Sequence, residues 1–303
     1  MSTLMISPKA PFYGSIRDLI VRHPARAYLV MAFVFAWTIM APLLLSKQGF
    51  GLLPLELPIT LFQFLASFLG LALPAFLVTA ATEGKVGVYT LLRRCLHWRV
   101  GVHWYLIALL GTFVSAVVIA FPFVGLAPLY MVAQKWVLFL TVLLPGTLIP
   151  FLHTNLPEEI GWTGYLQAKL QERYGPVRAS LMVAPAFALM HLPAYFVSGW
   201  ISDEKVLLPE ALINVGITAV FAIFFRLVIM WLYNGTGGSL LIVGLFHSAF
   251  NMYTGQEIMP QFVYGLEQDW LNLLVLGAVA LAAVLLTVLT KSRLASQPAY
   301  SSS

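Results

Sequence analysis

Long apolar stretches recur along this chain, each close to the length that crosses a lipid hydrocarbon layer, with Pro/Gly punctuation between them. A layer of roughly 30 Å takes about 20 residues of helix at 1.5 Å per residue. Inside it each backbone N–H and C=O needs a partner, which a helix supplies from its own turns. Only 10% of the 303 residues are charged while 60% are apolar, far too little charge to cover a water-soluble surface. The expectation is therefore an all-α, polytopic membrane bundle of about eight helices, forming one domain over residues 1–303.

The spans are expected near residues 28–46, 59–81, 103–124, 136–153, 177–198, 208–232, 238–254 and 270–290. Glycine and proline clusters such as Gly175-Pro176 and Gly235 to Gly238 mark their ends. Pro145, Pro150 and Pro157 are expected to interrupt the fourth, leaving 158–170 as a separate short apolar stretch. With eight crossings, all but four of the 17 basic residues fall on one side; Lys47, Lys135 and Lys205 fall on the other, and Arg226 within a helix. The positive-inside rule makes the basic side cytoplasmic and puts both termini there. Residues 1–27 then form a basic cytoplasmic segment with no small-residue cleavage site behind it, and 294–303 a Ser-rich disordered tail. The expected location is a cell membrane, of the bacterial inner-membrane kind.

The single cysteine, Cys95, excludes an intrachain disulfide and a cysteine metal cluster. Leu91 to Tyr105 interleaves Arg93, Arg94 and Arg99 with His97, Trp98, His103 and Trp104. Next to a span, that mixture reads as interfacial anchoring rather than nucleic-acid binding. No nucleic-acid partner is expected; the lipid bilayer is one.

Polar groups within a bilayer cost about 2.5–3.5 kcal/mol each for Asp, Lys or Arg on insertion scales, so each needs a reason. Glu158, Glu159, His191, His247 and Asn251 stand out. Counted inward along helices from the basic side, Glu158, His191 and His247 lie about 16, 20 and 14 Å deep. Three helices thus carry polar groups to a similar level. Asn155-Leu-Pro-Glu158 has the form of a helix start with a capping box, in which case Glu158 only caps. Yet adjacent helical positions point about 100° apart, so one glutamate can face a cavity while its neighbour serves a cap or a partner. Phe187 and His191 share a face, and Pro193 is expected to kink the helix just beyond; a histidine bonded to a nearby carbonyl is the plainer account. His247 and Asn251, one turn apart, are either helix–helix glue or a pair of oxyanion donors. His153 is placed at an interface, and Arg226 either snorkels or pairs with a glutamate.

Several intramembrane chemistries are excluded by motif. His-Glu-x-x-His, Gly-x-Gly-Asp and Gly-x-Ser-x-Gly are all absent, and Gly235-Thr-Gly-Gly238 lacks the lysine of a phosphate loop. What remains resembles the CAAX-protease and bacteriocin-processing (CPBP, or Abi) intramembrane endopeptidases. Glu158-Glu159-Ile-Gly-Trp-Thr-Gly-Tyr-Leu is similar to that family's double-glutamate motif, Phe187-Ala-Leu-Met-His191 to its Phe-x-x-x-His, and His247-Ser-Ala-Phe-Asn251 to its His-x-x-x-Asn. One position departs: Thr163 stands where the family usually has an arginine that braces the second glutamate, and Arg226 is the candidate replacement.

The resemblance implies an intramembrane peptidase with its core helices over 136–255. Glu158 and His191 would activate a water, His247 and Asn251 would stabilise the oxyanion, and Glu159 would support the site. It also raises a Zn2+ held by Glu158, His191 and His247, a set that suits catalytic zinc with an open position. The expected partner is a peptide or protein substrate, prenylated or membrane-embedded. Two alternatives stand beside it: an ion- or proton-coupled transporter, since midplane Glu and His on broken helices also bind ions, and a catalytically inactive immunity or scaffold relative.

Overall fold

The computed structural model describes residues 16–201, 206–254, 259–262 and 267–294, so the basic start with Lys9, Lys205 and the Ser-rich tail beyond 294 lie outside the described residues. Helices make up the fold, and no strand occurs among the described residues. In chain order they are α1 (Ile16–Arg22), α2 (Pro24–Leu45), α3 (Ile59–Cys95), α4 (Val102–Val124), α5 (Ala127–Gln134) and α6 (Trp136–Tyr174). Then come α7 (Pro176–Tyr195), α8 (Leu208–Gly235), α9 (Leu240–Thr254), α10 (Met259–Phe262) and α11 (Gln268–Leu289). Seven of these are long and apolar enough to cross a membrane. The stretch expected as a further span at 238–254 forms α9, a helix of 15 residues, about 22 Å long. The chain is a multi-pass membrane protein built as a helical bundle.

The fourth expected span needs correction. No break occurs at the prolines: α6 runs for 39 residues through Pro145, Pro150 and Pro157. Asn155 has helical angles (φ −72°, ψ −38°) and no capping hydrogen bond, so the capping-box reading of Glu158 fails. His153 accordingly sits in mid-helix rather than at the end of one. The physical reason lies in the helix type. Segments 139–143, 151–155 and 160–167 are π-helical. Proline clashes with the carbonyl four residues back, and for Pro145 and Pro157 that residue, Thr141 or His153, lies inside a wider π turn. Such widened turns favour functional sites, and a fourth, Ala66–Ala72 in α3, packs beside Glu158's turn of α6.

Small residues let the helices meet closely. In α2, Tyr28, Ala32, Ala36 and Met40 recur every four positions and are all buried, which fixes one packing face. In α4, Ala108, Thr112, Ala116 and Ala120 do the same against α9 and α11. Close backbone approach of this kind replaces the hydrophobic effect as the force between helices in lipid. Val30, Val34, Val114, Val118, Leu281 and Val288, by contrast, stay exposed on outer faces, as a lipid solvent allows.

Where α2 crosses α3, Gly70 is in contact with Ala36; a Cβ added to Gly70 would stand 2.7 Å from the Ala36 Cα. Backbone cannot retreat as a side-chain tip can. Gly70→Ala is therefore expected to destabilise the protein by about 1–3 kcal/mol. Gly216→Ala in α8, where nothing lies within 4 Å of the new methyl, is expected to be neutral or to stabilise by up to about 1 kcal/mol. Thermal unfolding of both variants in one detergent checks the pair; equal midpoints would refute the close crossing.

Candidate active site

Helices α6, α8 and α9 pack on one another, α7 packs on α6 and α8, and α3 packs on α6 and α9; polar side chains from α6, α7 and α9 line one space. A cavity of about 440 Å³ is lined by Glu158 from α6, His191 from α7, and His247 and Asn251 from α9. Apolar walls from Trp162, Phe187, Phe221, Phe225 and Phe250 surround them. Four of the five residues singled out in the sequence thus face one space. His247 is buried, Glu158 and His191 are half-buried, and Asn251 is exposed at the mouth.

The two glutamates have different environments, as the 100° step between neighbouring helical positions requires. Glu159 is wholly buried and its oxygens are fully occupied. Arg226 of α8 grips it with two bonds, Nη1 to Oε2 at 2.8 Å and Nη2 to Oε1 at 3.0 Å. Thr163 donates a short hydrogen bond to Oε2 and accepts one from Arg226 Nη1 at 3.2 Å. His247 Nδ1 lies 2.8 Å from Oε1. Among the described residues Glu158 has a single weak hydrogen bond, from the Ser67 hydroxyl at 3.4 Å. The carboxylate free to meet a ligand is Glu158.

Arg226 therefore does not snorkel. Its guanidinium has no exposure, pairs with Glu159 and lies 4.3 Å over the Phe187 ring. A planar fork suits a carboxylate in this bidentate way, and a bare aromatic face adds a cation–π contact. Arg226 thus reaches Glu159 from another helix, and Thr163 joins the two as a hydroxyl bridge. Sequence offered Arg226 only as a candidate; nothing in the spacing of 163 and 226 foretold that both would reach one carboxylate. Ser67 gave no signal in the sequence at all.

Both imidazoles are oriented through Nδ1. The interruption of α7 falls at His191 itself, and Pro193, expected to kink the helix just beyond, lies inside the short helical turn Leu192–Tyr195 that follows; the His191 Nδ1 is 2.8 Å from the Phe187 carbonyl. A carbonyl can only accept, so Nδ1 carries the proton and Nε2 is left for the cavity. The plainer account of this histidine, a bond to a nearby carbonyl, holds together with its place in the cavity wall. Glu159 fixes His247 in the same way. The Phe187 ring touches both, its centroid 4.6 Å from that of His191 and 6.1 Å from that of His247. A carboxylate and two imidazole Nε2 atoms thus face one dry-walled space.

Among the described residues no three His, Cys, Asp or Glu side chains stand close enough together to hold a metal ion.

Residues 136–253 match the family model described as type II CAAX prenyl endopeptidase Rce1-like. The matched range starts at α6 and stops one residue short of the end of α9, so it contains all five candidate residues and Arg226. Comparison with curated proteins found no match.

Proposed function

With an Rce1-like protease domain at residues 136–253 as the starting point, we propose that this protein is an intramembrane endopeptidase in which Glu158 activates water. The observation that carries the reading is the shared cavity: Glu158, His191, His247 and Asn251 line it from three helices, and Glu159 stands behind it, tied to His247 and Arg226.

The chemistry follows from the charges. Water is a poor nucleophile until a base takes its proton. The Glu158 carboxylate accepts that proton while His191 Nε2 orients the same water. The water oxygen bonds to the scissile carbonyl carbon, and the carbonyl π electrons move onto oxygen. His247 donates to this oxyanion from Nε2, which requires protons on both of its nitrogens because Nδ1 already serves Glu159. In that form the group of Glu158, Glu159, Arg226 and His247 is electroneutral, so its burial is least costly. During attack, negative charge leaves Glu158 for the oxyanion and stays beside the His247 cation. The Asn251 carboxamide, at the mouth, adds a second donor. Collapse breaks the C–N bond as Glu158 returns its proton to the amine. Aromatic walls exclude bulk water and strengthen each interaction. Every step uses the protein's own groups and one water.

The substrate proposed is a peptide segment presented from the bilayer, with a prenylated C-terminal tail as the class to test first. Purified protein in vesicles is expected to cleave a prenylated, membrane-tethered peptide. Asn251→Ala is expected to lower kcat about 100- to 1,000-fold, as loss of one oxyanion donor does. His247→Ala is expected to remove more, since it deletes a donor and orphans Glu159. Mass spectrometry of the products reads both. Cleavage unaffected by either change, in correctly folded protein, would end the peptidase proposal.

A further inference from the structure

A second cavity, of about 890 Å³, shares no residue with the first and lies where the ends of α3, α6 and α8 meet. Arg93, Arg94 and Arg99 all line it. None of the three forms an ion pair with a carboxylate among the described residues. Glu172 also lines the cavity, but it is engaged with Lys169 at 3.5 Å. Three uncompensated guanidinium groups around one hollow repel each other and attract an anion.

The hollow is built rather than incidental. Gln171 and Asn234 form a reciprocal amide pair in its wall, each bond 3.1 Å, which fixes α6 against α8. The Ser239 hydroxyl donates to the His97 carbonyl at 2.5 Å and ties the turn after α8 to the connection after α3. Gly238 has a φ of +88°, where a side chain is strained, and a Cβ there would come 3.7 Å from Arg94 Nε. The Arg94 guanidinium lies 5.9 Å over the Tyr233 ring. Beside the opening, Leu92, Leu96 and Trp98 are exposed, Leu96 at 73%. An ion in the hollow would therefore have apolar surface running out from it.

We propose that this cavity binds the phosphate head group of an anionic phospholipid, with the acyl chains lying along Leu92 and Leu96. Guanidinium forks match phosphate oxygens in geometry and charge. Basic pockets between membrane helices, on the side that carries the basic residues, are where such head groups are held. The exposed apolar rim favours a lipid over soluble phosphate, which would gain nothing from Leu96. The site is independent of the catalytic proposal.

The test uses the full chain purified in neutral detergent, titrated with phosphatidylglycerol, phosphatidylcholine or inorganic phosphate while the unfolding midpoint is followed. Phosphatidylglycerol alone is expected to raise the midpoint in a saturable way. The triple variant R93Q/R94Q/R99Q is expected to need about 100-fold more lipid, at about 1 kcal/mol per basic residue. Arg94→Gln alone, for use if the triple variant misfolds, should need about fivefold more, at about 1 kcal/mol per basic residue. Lys85→Gln, a basic position outside the cavity, is expected to leave the titration unchanged. An equal rise with phosphatidylcholine or with phosphate alone would overturn the proposal. So would wild-type titration by the arginine variants, or equal weakening by Lys85→Gln.

Discussion

Glu158→Gln is expected to lower single-turnover cleavage by about 100- to 10,000-fold, the range for loss of a positioned general base, while the protein unfolds at nearly the wild-type temperature. The second half follows from how little holds this side chain. Its one hydrogen-bond contact among the described residues is a 3.4 Å approach from the Ser67 hydroxyl, and a carboxamide of the same size can receive it. The neighbouring substitution, Glu159→Gln, should do the opposite to stability. That oxygen pair carries the Arg226 clamp, the Thr163 bridge and the His247 bond, so neutralising it leaves a buried guanidinium without its counter-charge. Two adjacent glutamates, changed identically, would then separate: one loses rate alone and the other loses stability with it. Cleavage of a tethered peptide and thermal unfolding, measured on the same preparations, test the contrast. Wild-type cleavage by the Glu158→Gln protein would remove that residue as the base.

The second large effect concerns Arg226. Arg226→Met is expected to cost about 3–5 kcal/mol, because breaking a fully buried ion pair strands the surviving charge. Both partners here have no exposure, so solvent does not soften the loss. Replacing both, Arg226→Met with Glu159→Gln, is expected to recover most of that stability, as no unpaired charge remains. Activity should not return with it. His247 would still lack the carboxylate that orients its ring, and loss of such an outer partner typically costs about 10- to 100-fold. Denaturation in detergent gives the first quantity and peptide cleavage the second. A single variant as stable as the wild type would mean that the clamp contributes nothing to the fold, and recovery of full rate by the double variant would mean that it does not serve His247.

Much of the bundle could be read in advance because lipid leaves a chain few choices. Apolar runs of membrane length had to become helices. The errors fell where local rules met packing. Prolines at 145, 150 and 157 ordinarily stop or kink a helix, yet α6 runs through all three, and at 145 and 157 the clash four residues back falls inside a widened turn. Asn155 had the form of a cap and turned out to be an interior residue. At the site, depth counting aligned Glu158, His191 and His247 at similar levels, since rise per residue is fixed. Rotation about each helix axis is set by packing and not by rise, so the count could not say which glutamate would face the cavity.

What the sequence determined alone was periodic and local: the membrane solvent, the helical class, and the order of the polar positions, each following from helix periodicity and the cost of polarity in lipid. Only the tertiary structure decided the partnerships, because residues such as Thr163 and Arg226, or Arg94 and Gly238, become neighbours through the packing of separate helices. No spacing along a chain encodes how a helix is turned about its own axis against its neighbours, and that rotation is what separates a free carboxylate from a clamped one.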